Sequence, residues 1–310
     1  MDGPYGRTIL DRKTGSVPPT KSTDMRFKVT SQLEYEISQP STLILNIHAQ
    51  RSASQSILEE KFTIEPRTKV EEFTTDDHAN RFVRLDTGRK KTLSISYEAT
   101  VDCEYQVIPI SKIDATPVAE MDRKAVQFLF PSRYCQSDRL GRLAWDLFGK
   151  IENPYAKVVA ITDWIHDNVE YELGSTTSVT SAFDTVTQRA GVCRDFAHLG
   201  IALCRALNIP ARYFSGYAFE LEPPDFHACF EAYISGYWFI FDATRLAHLN
   251  GLVRIGNGRD AADAAVASIF GFAKCTNMAV DCQYVGEQKY VSLDRKQISR
   301  KGVSLERKKV

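Results

Sequence analysis

The chain has 310 residues, of which 43% are hydrophobic and 25% charged, and its 39 basic and 39 acidic residues balance. This length favours two domains, and the composition suits an ordinary folded protein that needs neither nucleic acid nor an anionic membrane as a partner. The first ten residues have no cationic segment followed by an apolar run, so we expect no secretion signal, and the apolar stretches of the chain are too short to span a bilayer. Seven cysteines without CxxC spacing favour free thiols in a reducing, cytoplasmic setting.

The first part of the chain changes character near residue 25. Residues 1–24 are rich in glycine, proline and polar residues, which predicts a flexible leader. Over residues 25–115, apolar side chains recur at every second position, as at Leu43, Leu45 and Ile47. This period is typical of an all-β domain, which we expect to be a small sandwich. It contains no cluster of catalytic residue types, so we expect a structural or substrate-presenting role.

The second part, residues 116–286, has helical spacing before further strand-like runs. Ser137 and Ser181 are expected N-caps, and Pro154 suits a first helical turn. Helices followed by antiparallel strands predict an α+β domain. The last segment, residues 287–310, is basic, and we expect a solvated, flexible tail.

Cys193 stands out among the seven cysteines because of its position. Gly191 breaks the chain just before it, and residues 193–207 predict a helix that begins with this cysteine. The free N–H groups and the positive end of the helix dipole favour a thiolate there and could stabilise an oxyanion. Cys204 lies in the middle of the same helix on its apolar face. A buried structural thiol is expected for Cys204, and it is the alternative interpretation of Cys193.

A candidate base and its partner lie further along the chain. The segment 225–245 alternates at period two and contains Ser235-Gly236. A two-residue turn at this point would place Asp242 diagonal to His227 on one face of a hairpin. The carboxylate could then accept a hydrogen bond from the imidazole and fix its tautomer. A shift of one residue would separate the two side chains, and a purely structural hairpin is the alternative.

These residues resemble a known family. GVCRDFAHLGIALCRALNIPARYFSGY, followed by DFHACFEAY and FDATR, is similar to the core of the transglutaminase-like superfamily, and in particular to bacterial members described as candidate cysteine proteases. The resemblance covers roughly residues 160–265 and, by architecture only, 25–115. It implies a papain-like α+β core after a β domain. It also implies a catalytic triad of Cys193 as nucleophile, His227 as base and Asp242 as the orienting carboxylate.

The chain departs from this family pattern at two positions. Cys229 stands where the family often has tryptophan, and Ala243 stands where it often has proline. Neither departure removes a triad member, but Cys229 alters the wall of the site and leaves the substrate preference open. The side chain that would complete an oxyanion hole is not identifiable from the motifs, and Tyr171 is only a weak candidate.

The predicted function is thiol-dependent acyl transfer on peptide or glutamine amide bonds. Water as the acceptor would give a cysteine peptidase or amidase, and a primary amine would give a transglutaminase. Hydrolysis is slightly favoured because water needs no second binding site. Two alternatives stay open: an acyltransferase that moves an acyl group from a thioester to an amine, and a non-catalytic binding or assembly module on the same fold.

No cofactor and no metal are expected. No run of histidines or carboxylates has metal-ligand spacing, and the glycine-rich run 256–260 lacks the strand and helix of a phosphate-binding loop. Asp260 is expected instead to cap a helix that begins at Ala261. The expected partner is a protein or peptide substrate, with no nucleic acid and no membrane, and the oligomeric state is not predicted.

Overall fold

The structure is a computed structural model that describes residues 23–75, 79–293 and 301–306. Most of the predicted leader therefore lies outside the described residues. The first part of the chain consists of strands, as the period of two predicts. These strands are β1 (Thr23–Ile37), β2 (Thr42–Leu45), β3 (Gln55–Glu65), β4 (Val70–Thr74), β5 (Arg81–Asp86) and β6 (Thr92–Pro109).

Helices and antiparallel strands follow, which confirms the predicted α+β class of the second part. The helices are α1 (Arg123–Val126), α2 (Gly141–Phe148), α3 (Pro154–Asn168), α4 (Ala182–Gln188), α5 (Cys193–Ala206) and α6 (Ala261–Ala264). The strands are β7 (Glu170–Tyr171), β8 (Ala190–Gly191), β9 (Ala211–Ala218), β10 (His227–Ile234), β11 (Tyr237–Phe241), β12 (Leu252–Gly258), β13 (Ala267–Phe270), β14 (Ala273–Tyr284) and β15 (Lys301–Ser304).

Two sheets form the β sandwich. One has the order β14-β1-β6-β15, with β3 also paired to β6, and the other has the order β13-β2-β5-β4. Burial alternates along β6, where Leu93, Ile95 and Tyr97 point into the core that both sheets share. Each side chain of this size contributes roughly 1.5–3 kcal/mol when it is buried. This alternation is the physical basis of the predicted period of two.

Two strands late in the chain complete the sandwich. β13 pairs with β2, and β14 pairs with β1 from Phe27 opposite Tyr284 to Ile37 opposite Ala273. This segment is part of the second domain predicted over residues 116–286, yet it joins the sheets of the first. A period of two indicates a strand, but it carries no information about which sheet the strand joins.

Part of the basic terminal segment is also ordered by strand pairing. β15 pairs with the end of β6, and Val303 is buried there. This arrangement differs from the solvated tail expected for residues 287–310. Gly302 lies so close to the ring of Phe239 that a larger residue would not fit. A four-residue strand is too short to give a periodic signal, and residues 294–300 and 307–310 lie outside the described part.

Helix α5 is the centre of the second part. Its residues from Asp195 to Arg205 are all buried, so the predicted apolar face is only a portion of its buried surface. The polar residues opposite that face are buried because they have partners. The guanidinium of Arg205, for example, donates to three backbone carbonyls and to the hydroxyl of Ser132. These hydrogen bonds offset the loss of water around its charge.

The sheet beside α5 is antiparallel, in the order β11-β10-β9-β12. β10 and β11 are joined at Ser235 and Gly236, whose φ angles of 52° and 82° lie in the left-handed region. A two-residue hairpin turn of type I′ needs this backbone at both positions. The strands pair Phe230 with Phe241, which confirms the predicted register.

The helix starts follow the predictions with one exception. Ser181 caps α4, Pro154 opens α3, and Asp260 caps α6. The prediction for Ser137 is wrong, because this residue lies in a short 3₁₀ turn. The backbone of Leu140 is not helical and separates this turn from α2, which begins at Gly141. Among the helices of the described ranges, none combines the length and the apolar character that crossing a membrane requires.

Candidate active site

Cys193 is the first residue of α5, as predicted. Val192 before it has an extended backbone with φ −113° and ψ 179°, so the chain turns into the helix at the thiol itself. The side chain of Cys193 is half-buried, whereas Cys204 is fully buried and burial raises its pKa far above the usual value. The helix N-terminus offers free N–H groups and a positive dipole end, and both favour an anionic sulfur.

A buried carboxylate fixes the turn that presents Cys193. Asp195 is fully buried and accepts hydrogen bonds from the backbone N–H of Val192 at 3.0 Å and the hydroxyl of Thr176 at 2.8 Å. The guanidinium of Arg194 also donates to it. The sequence interpretation missed this role. An acidic residue at the third helical position is the available signal, because it can accept from the N-cap backbone.

His227 and Asp242 form a hydrogen bond across the hairpin. His227 opens β10 and Asp242 directly follows β11, and the Nε2 and Oδ2 atoms are 3.0 Å apart. Their side chains are only 1% and 2% exposed. The carboxylate of Asp242 also accepts from the backbone N–H and hydroxyl of Thr244 and from the backbone N–H of Ala247. Held at this many points, it can fix the orientation of the imidazole.

The imidazole and the carboxylate stabilise each other's charged forms. Burial opposes both charges because each side chain has lost its water. At His227 this effect is outweighed by the negative charge of Asp242, and hydrogen bonds with Asp242 and Cys193 add to it, so the pKa of His227 is raised well above its ordinary value. At Asp242 the charge of His227 likewise outweighs burial, and the pKa of the carboxyl is lowered. The pair therefore favours imidazolium and carboxylate.

Cys229 brings a second thiol to the same place. It follows His227 by two residues on β10, so both side chains lie on one face of the strand. The sulfur of Cys229, a ring nitrogen of His227 and a carboxylate oxygen of Asp242 all lie within 4.8 Å of one another, and all three residues are buried. Burial, with the nearby charge of Asp242, raises the pKa of Cys229 to about 12. Cys229 is therefore a neutral thiol at neutral pH.

Tyr171 lies beside the nucleophile. β7 and β8 pair in parallel with Tyr171 next to Gly191, and the ring of Tyr171 contacts that of Phe196 at 5.9 Å between centroids. Its hydroxyl accepts a hydrogen bond from the backbone N–H of Cys193. Burial, followed by the nearby sulfur of Cys193, raises the pKa of Tyr171 to about 12. The phenol therefore keeps its proton and can donate it to a substrate oxygen.

The other histidines have different surroundings. His198, on α5, accepts a hydrogen bond from the backbone N–H of Ala261 and stacks on Tyr134 with ring centroids 5.0 Å apart. Burial lowers the pKa of His198 to about 3, so its ring is neutral. His48 packs between two aromatic rings of the sandwich. These contacts give both rings structural roles, and His78 lies outside the described residues.

Two family models match the chain. Residues 25–124 match the N-terminal domain of bacterial transglutaminases, and residues 142–243 match the transglutaminase-like superfamily core. The second range contains Cys193, His227 and Asp242. The two models therefore match the sandwich and the α+β part separately.

Individual relatives extend this similarity. A solved structure from Cytophaga hutchinsonii, described as a candidate cysteine protease, is 58% identical, with a TM-score of 0.89 over 92% of this chain and 99% of that chain. An uncharacterized protein of Mycobacterium leprae is 28% identical over 184 residues, which are 56% of this chain and 66% of that protein. One of Mycobacterium bovis is 43% identical over 60 residues, or 19% of each.

The chain thus spans just under two thirds of the length of one mycobacterial relative and about a fifth of the other. The Cytophaga protein, by contrast, is similar along nearly its whole length, through the sandwich as well as the core. Sequence similarity, the order of the elements and the two family matches agree. This protein belongs to the transglutaminase-like superfamily and carries the N-terminal domain of the bacterial transglutaminases before its core.

Proposed function

We propose that this protein is a cysteine-dependent enzyme that cleaves or transfers the acyl group of peptide or glutamine amide bonds. One arrangement above all supports the proposal: Cys193 at a helix N-terminus interacts with the ring of His227, which Asp242 orients. A thiol, a base and an orienting carboxylate in this order are the groups that thiol-dependent acyl transfer needs. Membership of the superfamily, and similarity to a candidate cysteine protease, point the same way.

In the first step, the thiolate of Cys193 attacks the carbonyl carbon of the substrate. A carbon–sulfur bond forms, and the electrons of the carbonyl π bond move to its oxygen. The backbone N–H of Cys193 now donates to the hydroxyl of Tyr171. A substrate oxygen that replaces this acceptor would receive hydrogen bonds from the N–H and from the Tyr171 hydroxyl together. Donors placed where charge develops lower the barrier to this step.

In the second step, the carbon–nitrogen bond breaks and a thioester remains on Cys193. His227, as the imidazolium, donates its proton to the departing amine. The neutral ring then takes a proton from water, which attacks the thioester, and the thiolate leaves with the electrons of the carbon–sulfur bond. Asp242 keeps the ring oriented throughout.

We favour hydrolysis over transamidation, because water needs no binding site of its own. A primary amine as the second acceptor would give a transglutaminase with the same first half-reaction. The alternative of a binding module on the same fold requires no turnover at all. Product analysis distinguishes these outcomes directly.

The decisive experiment compares the wild-type protein with Cys193→Ala by mass spectrometry. Both are incubated with glutamine-containing peptides and a free primary amine, and circular dichroism verifies that the variant is folded. Cleaved peptides would indicate a peptidase, deamidated glutamine an amidase, and amine adducts a transglutaminase. We expect products only with the wild-type protein. Equal product from both proteins would reject Cys193 as the nucleophile.

We also propose a cytoplasmic location for this protein. All seven cysteines lie within the described residues and carry free thiols, which suits a reducing compartment. Fractionation of the source cells tests the location. Recovery of the protein outside the cytoplasm would reject it.

A further inference from the structure

We propose that Cys229, His227 and Asp242 form a binding site for a divalent cation of the zinc type, and that its occupation inhibits the enzyme. The three residues meet on one face of the hairpin formed by β10 and β11. Cys229 contributes sulfur, His227 nitrogen and Asp242 oxygen, and the three atoms lie within 4.8 Å of one another. In the part of the chain that the structure describes, no other three histidine, cysteine or acidic side chains come together in this way.

The distances are close to those of a tetrahedral ion. Zinc binds nitrogen and oxygen at about 2.0–2.2 Å and thiolate sulfur at about 2.3 Å, which places neighbouring ligand atoms about 3.3–3.6 Å apart. The Nε2 atom of His227 and the Oδ2 atom of Asp242 are 3.0 Å apart. They need to separate by only about 0.4 Å to hold a shared ion. The sulfur of Cys229 lies within 4.8 Å of both atoms and has to approach by up to about 1.2 Å to take the third position.

The donor atoms select for a soft cation. Thiolate and imidazole suit zinc and copper, whereas magnesium and calcium prefer oxygen ligands. Binding displaces the thiol proton of Cys229 and the proton between His227 and Asp242, and both protons pass to solvent. The resulting thiolate and carboxylate carry two negative charges, which match a divalent ion. The buried site with its ion therefore has no net charge, and this limits the free-energy cost of removing the charges from water.

Binding at this site would stop the chemistry proposed above. An ion on Nε2 of His227 replaces the hydrogen bond with Asp242 and leaves the one proton of the neutral ring on the other nitrogen, which interacts with Cys193 and then has no lone pair to accept a further proton. The base would then be unable to serve the thiol. This inhibition rests on the proposed function, whereas the binding of the ion does not.

Cobalt spectroscopy tests the site without any enzymatic reaction. Co²⁺ is added to Cys193→Ala, so that the nucleophile cannot be the ligand, and to the double variant Cys193→Ala/Cys229→Ala. We expect a thiolate-to-cobalt charge-transfer band in the near ultraviolet for the first protein and its loss in the second. The absence of the band from the first protein, or an equal band in both, would overturn the site. Cys229→Ser replaces alanine if the double variant does not fold.

Inhibition is tested by initial rates with Zn²⁺ and Mg²⁺, each protein being compared with its own uninhibited rate. The proteins are the wild type, Cys229→Ala and the matched control Cys204→Ala, which removes a buried thiol elsewhere. Replacing a residue that only hydrogen-bonds to a metal ligand already lowers metal affinity about 10–100-fold. Loss of the ligand Cys229 itself should therefore make zinc at least about tenfold less potent on Cys229→Ala. Zinc should inhibit the control like the wild type, and magnesium should inhibit none.

Equal potency of zinc on the wild type and Cys229→Ala would overturn the site, since Cys193 and His227 would then bind the ion without the third residue. A protein with no turnover of any amide would reject the proposed function instead. The cobalt band still decides the ion site in that case, so the two failures are distinguishable.

Discussion

Strand β10 carries two buried charged clusters that differ in their surroundings. At its start, His227 is paired with Asp242. Further along the same face, Glu231 is fully buried and accepts hydrogen bonds from Arg212 at 2.7 Å and from Arg254 at 2.7 and 2.8 Å. In both clusters each buried charge is matched by an opposite one, as burial requires.

The two clusters differ in what lies at their edge. Arg212 also binds Glu306 of the terminal segment, and Arg254 lies 3.8 Å from the same carboxylate, so both partners of Glu231 are engaged with a second acidic side chain. His227 instead interacts with Cys193, a thiol that is only half-buried. A charge enclosed by fixed partners contributes to stability, whereas one that adjoins a reactive group can exchange a proton. We therefore expect changes in the Glu231 cluster to alter unfolding and changes in the His227 cluster to alter turnover.

The largest expected effect concerns turnover. In Asp242→Asn, the amide can donate to Nε2 of His227 and so favour the wrong tautomer, and we expect kcat/KM to fall about 10³–10⁴-fold. Initial rates with the substrate found by mass spectrometry measure this loss. Thr244→Val is the control, because it keeps the carboxylate and removes one hydroxyl, which donates to Asp242 and accepts from the backbone N–H of Leu246. A rate for Asp242→Asn within tenfold of the wild type would contradict the orienting role.

The next effect concerns stability. Glu231→Gln leaves two arginines without their buried counter-charge, and we expect a loss of about 3–5 kcal/mol in the free energy of unfolding, with activity retained in the folded protein. Denaturant unfolding measures the loss. Asp102→Asn breaks an exposed pair with Arg26, which water and salt screen, and should cost much less. Similar losses for the two variants would show that burial does not distinguish these ion pairs.

Much of the candidate site could be predicted because local backbone constraints determine it. Gly191 and the apolar pattern behind it indicate the helix that begins at Cys193. Positive φ angles at Ser235-Gly236 select one hairpin register, and that register alone brings His227 and Asp242 to one face. Their catalytic roles stay predictions.

The sequence could not reveal which distant segments meet. Glu231 is one acidic residue in an alternating run, and its arginine partners come from two other strands. β14 resembles any other strand, so its pairing with β1 leaves no local signal. The grouping of Cys229 with Asp242 also has no recognisable spacing in the sequence, because the two residues lie on opposite sides of a hairpin turn. In each case the contact depends on tertiary structure.

The pH dependence of stability sharpens the comparison between the clusters. Burial opposes the charge of Glu231, but the charges of Arg212 and Arg254 outweigh it and lower its pKa from 4.5 to about 2. A lowered pKa means that the stabilisation is complete above about pH 4.5 and is lost as the pH falls toward 2. We expect Glu231 to account for up to about 3 kcal/mol of the loss across this window. Unfolding curves of Glu231→Gln should therefore depend less on pH than those of the wild type, and equal dependence would contradict the assignment.

The smallest expected effect concerns Tyr171, which lies beside Cys193 at the exposed edge of the His227 cluster. Tyr171→Phe keeps the ring against Phe196 and removes one donor to the oxyanion, so we expect kcat to fall about a hundredfold with little change in KM. Tyr233→Phe is the control, since it removes a tyrosine hydroxyl from a different strand, β10. Steady-state kinetics separate the two constants. A rise in KM at unchanged kcat would assign Tyr171 to substrate binding, because a donor that acts only on the oxyanion cannot weaken the ground-state complex.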